Sequence, residues 1–146
     1  MATTSTYLNF NGTTEAAFTL YRRVFGGEFT GGLQRFGDLP PQPDAPPLDP
    51  DVRRRVLHVE LPLLGGHVLH GSDIVEQFGH RLHVGNHAYI HLETDTRAEA
   101  RRLFDALSAD GAVESPLAEM FWGAYWGVCK DPFGVQWMVS TRAPEA

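Results

Sequence analysis

The chain has 146 residues, of which 42% are hydrophobic and 21% charged, a composition typical of a globular protein rather than a disordered one. Its formal net charge of −6 argues against a nucleic-acid or anionic-membrane surface, because both require a basic face. Cys129 is the only cysteine, which excludes an internal disulfide and a cysteine-rich zinc site, and we expect its thiol to be buried. The sequence shows no signal peptide or membrane span, so we expect a cytoplasmic protein with neither nucleic-acid nor membrane partners.

The first residues predict a strand, a helix and a second strand. Alternating apolar residues predict strands at Thr6–Phe10 and Glu28–Phe36. Between them, an apolar stripe with helical spacing predicts a helix over Thr14–Phe25, which Gly26-Gly27 would end.

A proline-rich segment, residues 37–51, follows these elements. It contains six of the ten prolines, so we expect an extended, exposed loop that forms neither a helix nor a sheet ladder. Two more strands are predicted at Val56–Pro62 and Gly66–Gly71. Ser72-Asp73 would form a strand-ending turn, and Ser72–Asn86 as a whole is either a loop or a short helix.

The second half repeats the order of the first. His87–Glu93 is a predicted strand, and Thr96 with Glu99 has the spacing of a capping box at the start of a helix that Asp110-Gly111 would end. Three further strands are predicted at Ala112–Ala118, Ala124–Lys130 and Val135–Thr141.

An internal repeat relates the two halves. A shift of about 82 residues aligns Tyr7–Phe10 with Tyr89–Leu92, and each half then has the order strand–helix–strand–strand–strand. We therefore predict a single domain, residues 1–146, made of two βαβββ modules at about residues 5–72 and 87–141.

Three segments have letters that are typical of a known family: YLNFNGTTEAAFTLYRRVFGG, HVELPLLGGHVLHGSD and MFWGAYWGVCKDPFGVQWMV. They resemble the PhnB-like branch of the vicinal oxygen chelate superfamily, which includes glyoxalase I, extradiol dioxygenases and bleomycin-resistance proteins. The resemblance implies an α+β fold in which the duplicated βαβββ modules form a mixed sheet around a U-shaped cleft. It also implies a homodimer.

The resemblance implies a divalent metal in that cleft, held from the first and last strand of each half. Those positions are occupied here by Tyr7, His70, Tyr89 and Met138. Of these only His70 is a suitable ligand, because a thioether is soft and a neutral phenol binds weakly. No cofactor and no standard metal site are therefore expected; if a metal binds, His70 with Glu60 or His91 would hold it.

Strand alternation predicts a polar cleft surface. His58 and Glu60 of the third strand and His70 of the fourth are the candidate catalytic residues. Three interpretations remain open: a displaced metal site, a His–Glu acid/base pair, or side chains that hydrogen-bond one another in a wet groove.

Aromatic and polar side chains at the predicted cleft or its rim are candidates for ligand binding, with packing in the core or a dimer interface as the alternative for the aromatic ones. The candidates are Tyr7, Asn9, Tyr89, His91, Trp122, Tyr125, Gln136 and Met138. The sequence thus predicts a protein that binds a small molecule without the standard metal site. The alternative is a metal-dependent lyase, isomerase or dioxygenase that uses a displaced His/Glu site.

Overall fold

The structure, a computed structural model, describes residues 1–145. The chain forms two compact units, Met1–His83 and Val84–Ala146, each with one four-stranded sheet. Both units have the predicted order strand–helix–strand–strand–strand, and the sheet orders β1-β4-β3-β2 and β5-β8-β7-β6 are equivalent. The α+β class and the duplicated βαβββ modules are therefore confirmed.

The first unit contains strands and helices with these bounds: β1 Thr6–Phe10, α1 Thr14–Phe25, β2 Gln34–Arg35, α2 Pro50–Arg54, β3 Val56–Pro62 and β4 Val68–Asp73. The β1–β4 pair is parallel and the other pairs of this sheet are antiparallel. Helix α1 buries the predicted apolar stripe, with Phe18 and Tyr21 fully inaccessible to solvent. It packs on the sheet face that presents Val59, Leu61 and Leu69. By alternation, the neighbouring residues of β3 and β4 point to the opposite face.

A buried aspartate ties α1 to this sheet. The Asp73 carboxylate accepts hydrogen bonds from the backbone N–H groups of Gly12, Thr14 and Val56 and from the Thr14 hydroxyl. The prediction of a turn at Ser72-Asp73 was wrong, because both residues lie within β4 and Asp73 serves as an acceptor beneath the start of α1. A carboxylate at the N-terminal end of a helix also interacts favourably with the helix dipole.

The second unit contains β5 Ile90–Glu93, α3 Arg97–Ser108, β6 Ala112–Glu119, β7 Tyr125–Lys130 and β8 Gln136–Thr141. Strand β5 pairs with β8 in parallel, and β8–β7 and β7–β6 are antiparallel. The predicted helix start is confirmed, since the Thr96 hydroxyl accepts a hydrogen bond from the Glu99 backbone N–H.

The DPFG turn between β7 and β8 is organised by Asp131. Its carboxylate accepts hydrogen bonds from the backbone N–H groups of Phe133 and Val135 and from the indole N–H of Trp137. Trp137 is fully buried, as its predicted place in the core requires. The Asx-type turn thus also anchors the largest core side chain of this unit.

The segments between the strands differ most from prediction. The second strand spans only Gln34–Arg35 rather than Glu28–Phe36, because Gly31 and Gly32 have positive φ angles and break the extended backbone. The proline-rich segment is not wholly extended: a 3₁₀ turn covers Phe36–Asp38, and α2 begins at Pro50, where proline is favourable in a first helical turn. Among residues 1–145, no helix has the length and apolar character needed to cross a membrane.

Candidate functional site

Three polar side chains converge on the face of the first sheet opposite α1. His58 and Glu60 lie on β3, and Glu60 pairs in register with His70 of β4. His58 Nε2 lies 3.2 Å from His70 Nδ1, which in turn lies 3.2 Å from a Glu60 carboxylate oxygen. We call His58, Glu60 and His70 the histidine cluster; its three nearest ligand atoms all lie within 4.8 Å of one another.

Tyr7 extends the histidine cluster onto β1. It pairs in register with His70, and the two rings are stacked with centroids 5.6 Å apart and planes 7° from parallel. The His58 ring lies 6.2 Å from the same tyrosine ring. Tyr7 remains 52% exposed, so this sheet face presents a stacked aromatic and imidazole surface to solvent.

All three residues of the histidine cluster are partly accessible to solvent. The Glu60 and His70 side chains are 26% and 22% exposed, and His58 is also partly buried. Imidazole and carboxylate groups at this separation suit proton transfer, and they equally suit ligation of a divalent cation. The structure therefore brings together all three predicted catalytic residues.

Asn9 lies on the same face, two residues beyond Tyr7. It pairs in register with Ser72, and the Ser72 hydroxyl donates a hydrogen bond of 3.2 Å to the Asn9 side-chain oxygen. This pair continues the polar surface along β1 and β4. Asn9 is exposed to solvent.

Three of the predicted site residues lie along β5 and β8 in the second unit. His91 and Met138 pair in register, and His91 Nε2 lies 2.8 Å from the Ser140 hydroxyl. The Gln136 side chain is buried; its amide donates to the Ala88 carbonyl, whereas its side-chain oxygen has no hydrogen-bond partner within residues 1–145. His91 is thus held by Ser140 within its own sheet.

Tyr89, just before β5, has a carboxylate partner. Its hydroxyl donates a hydrogen bond of 3.0 Å to Glu114 of β6. This hydrogen bond is the main reason why the pKa of Tyr89 is raised, with lesser effects from desolvation and the Glu114 charge. The phenol therefore stays protonated and is a poor metal ligand.

The two aromatic candidates near the β6–β7 hairpin lie in different settings. Tyr125 faces α3, where Arg101 donates a 2.7 Å hydrogen bond to its hydroxyl and the Arg97 guanidinium lies 4.7 Å from the ring centroid. That hydrogen bond raises the pKa of Arg101. Trp122 lies in the hairpin loop and is 54% exposed, with its ring 5.8 Å from that of Trp126. Tyr125 is therefore on the helix face of its sheet, and Trp122 is accessible to solvent.

The four positions that the family resemblance implies for a metal do not form a suitable donor set. His70 provides an imidazole, but Tyr7 and Tyr89 are phenols and Met138 provides only a thioether. The hydrogen bond from Tyr89 to Glu114 further disfavours its anionic form. The suitable nitrogen and oxygen ligands lie instead in the histidine cluster.

A recess that the sequence did not predict lies beside the proline-rich segment of the first unit, away from the histidine cluster. Its volume is about 790 Å³. Phe36 and Phe78 line it with ring centroids 6.1 Å apart, together with Val52 and several prolines. The only sequence signal for this recess was the density of rigid, apolar prolines, which is also typical of an exposed linker.

Cys129 is the buried thiol that the sequence predicted. Burial, with smaller effects from the Asp131 and Glu114 charges, raises its pKa to about 12. At pH 8 the thiolate fraction should therefore be roughly a thousandfold smaller than in the unfolded chain, where the thiol titrates normally. We expect a thiol reagent to modify the native protein slowly and the guanidinium-unfolded protein rapidly. Equal rates in the two states would contradict this expectation.

Comparisons with known proteins identify relatives over almost the whole chain. Residues 7–139 match the family model described as Glyoxalase/Bleomycin resistance protein/Dioxygenase superfamily. Protein YjdN of Escherichia coli (strain K12) is 27% identical over 147 residues, which cover 93% of this chain and 92% of that protein.

Solved structures give the same result. Protein PA1353 of Pseudomonas aeruginosa is 33% identical, with a TM-score of 0.81 over 97% of this chain and 98% of its own. A Bacillus cereus protein described as a putative 3-demethylubiquinone-9 3-methyltransferase, PhnB protein, is 22% identical, with a TM-score of 0.72 over 96% and 99% of the two chains. At 22% identity, the similarity to the Bacillus cereus protein shows a shared fold and nothing more.

Proposed function

Because the chain belongs to the glyoxalase/bleomycin resistance protein/dioxygenase superfamily, we propose that it binds a small molecule, with its primary contact on the histidine-cluster face of the first sheet. The observation that supports this most directly is the stacked pair formed by Tyr7 and His70. Tyr7 is half-exposed although its ring could bury a large apolar area, which is typical of a side chain that contacts a ligand.

The chemistry of this face indicates the class of ligand. The Tyr7 ring offers a flat surface for a planar aromatic group, and the imidazoles of His58 and His70 can donate to or accept from a polar substituent. Glu60 adds a carboxylate, and the formal net charge of −6 favours a neutral or cationic ligand over an anion. We therefore propose a planar, neutral or cationic small molecule.

Thermal shifts across a panel of aromatic and cationic compounds should identify such a ligand. A compound present at about 100 times its Kd stabilises the folded state by about 2.7 kcal/mol, which raises the Tm by several degrees. Tyr7→Leu should weaken binding about tenfold, because it removes the aromatic stacking surface.

Phe78→Leu is the matched control for this experiment. Phe78 is also an aromatic residue of the first unit that is 52% exposed, but it lines the recess beside the proline-rich segment. Binding should therefore persist in Phe78→Leu. Loss of binding in Phe78→Leu but not in Tyr7→Leu would place the ligand in the recess beside the proline-rich segment. A flat response to the whole panel would refute the proposed function.

A second candidate function is a metal-dependent enzyme that uses a displaced His/Glu site. The proximity of His58, Glu60 and His70 favours it, because two imidazoles and one carboxylate also form catalytic metal sites in other proteins. Turnover of a panel ligand distinguishes this function from binding alone.

The homodimer expected from the family resemblance remains a proposal. It is supported by two exposed aromatic residues in the β6–β7 loop, Phe121 at 97% and Trp122 at 54% exposure, with ring centroids 5.0 Å apart. Exposed apolar groups of this size are often covered by a partner.

A further inference from the structure

We propose that His58, Glu60 and His70 bind a divalent transition-metal ion, in a site built entirely within the first unit. This site differs from the arrangement that the family resemblance implies, because two of its ligands lie on β3 and none lies in the second unit. It goes beyond the proposed binding of a small molecule, since binding of the cation requires no such ligand, and it supplies the metal site on which the second candidate function rests.

The spacing of the three ligand atoms fits one cation. His70 Nδ1 lies 3.2 Å from His58 Nε2 and 3.2 Å from Glu60 Oε2. Metal–ligand bonds of about 2.0–2.2 Å place neighbouring ligand atoms roughly 3.0–3.5 Å apart. Both distances lie in this range, and the separation between the His58 and Glu60 atoms is at most 4.8 Å, so the two adjacent strands place all three ligand atoms around one point.

A single proton on His70 Nδ1 would have to be shared between the Glu60 carboxylate and an unprotonated His58 Nε2 in a three-centre hydrogen bond. A cation would instead accept a lone pair from each of the three atoms at once.

The donor set also indicates which cations would bind. Two imidazole nitrogens and one carboxylate oxygen suit Zn²⁺, Co²⁺, Ni²⁺ or Fe²⁺, whereas Mg²⁺ and Ca²⁺ prefer all-oxygen sites. Because all three cluster side chains remain partly exposed, the other coordination positions are open to solvent. A cation here would be able to bind water, or an oxygen atom of a ligand that contacts Tyr7.

The test uses metal alone, added to the full chain after treatment with a chelator and dialysis. We expect Zn²⁺ in isothermal titration calorimetry to bind with one equivalent per chain, and Co²⁺ to give a visible absorption spectrum typical of nitrogen and oxygen ligation. Glu60→Gln and His70→Ala should each weaken Zn²⁺ binding by at least about 100-fold, since loss of a direct ligand exceeds the effect of losing its supporting hydrogen bonds.

His67→Ala is the matched control. His67 belongs to the same unit and precedes β4, but it contacts the Thr6 hydroxyl at 2.8 Å and is not one of the three cluster ligands. Zn²⁺ affinity should stay within about twofold in this variant, with Mg²⁺ failing to compete. Circular dichroism in the presence of chelator shows whether each variant is folded, and Glu60→Gln preserves the shape of the side chain should His70→Ala unfold.

Absence of Zn²⁺ binding in the folded native protein would overturn this proposal, as would unchanged binding in folded Glu60→Gln. Equal weakening in His67→Ala would overturn it too, because the ion would then lie elsewhere. The ligand panel repeated in chelator separates this outcome from failure of the proposed function: ligands that still shift the Tm without metal leave the binding function intact.

Discussion

Replacing Asp73 with alanine should lower the free energy of unfolding by about 4 kcal/mol, the scale expected when a buried, charge-assisted hydrogen-bond network is broken. The carboxylate accepts from three backbone N–H groups and one hydroxyl, at distances between 2.7 and 3.2 Å, and the residue is buried. Alanine would leave the donors of Thr14 and Val56 in the interior without this acceptor. Urea denaturation followed by circular dichroism measures the loss, and the Tm should fall by on the order of 10 °C.

Asp51→Ala provides the comparison for this variant. Asp51 is exposed and pairs with exposed Arg54 one helical turn away, so its removal should change stability by about 0.5 kcal/mol or less. Asp73→Asn should lie between the two, because the amide oxygen still accepts but the amide N–H₂ faces a donor. Equal urea midpoints for Asp73→Ala and Asp51→Ala would show that the buried network does not stabilise the fold.

Local signals explain why several elements could be predicted with their observed bounds. Thr6–Phe10, Thr14–Phe25 and Val56–Pro62 have the residues observed because their periodicity and end signals lie within the segments themselves. The helix at Arg97–Ser108 was likewise marked by the hydroxyl of Thr96 at its N-cap. The internal repeat then predicted the duplicated modules without knowledge of any contact between strands.

The role of Asp73 could not be predicted because its partners are distant in sequence. A Ser-Asp pair at the end of an apolar run is typical of a turn. The observed acceptor role depends on Gly12 and Thr14, about 60 residues earlier, and on the geometry that brings α1 over β4. Nothing within the local sequence distinguishes a buried aspartate from an exposed one.

The candidate site likewise contains residues that the local sequence could place and one that depends on partners distant in sequence. Strand alternation, together with the cleft that the family resemblance implies, predicted that Tyr7, His58, Glu60 and His70 share a surface, because polar and apolar residues alternate on β3 and β4. The placement of Tyr125 could not be deduced this way, since β7 reads YWGVCK and has apolar residues on both faces. Its position against α3 follows only from the register of β7 with β8, where Tyr125 pairs with Thr141.

Replacing Gly71 with alanine should destabilise the first unit by about 3 kcal/mol, the upper part of the range for overpacking a well-packed core. A methyl group at this position would lie 2.3 Å from Cε1 and 2.8 Å from Cζ of Phe18, a ring with no solvent exposure. The ring is enclosed between α1 and the sheet, so either the side chain or the helix must move. Urea denaturation again measures the effect.

The double variant Gly71→Ala/Phe18→Leu tests whether this clash is the cause. Leucine removes the ring atoms that the new methyl group would meet, so the double variant should be more stable than the sum of the two single changes predicts, by at least about 1 kcal/mol. Gly85→Ala is the control, because a methyl group there meets only His87 at 3.4 Å and the change should cost little. Since His70 precedes Gly71 and points to the other face of β4, a shift of this strand would also displace the histidine cluster. Additive effects in the double variant would show that the close approach of α1 at Gly71 is not what the methyl group disrupts.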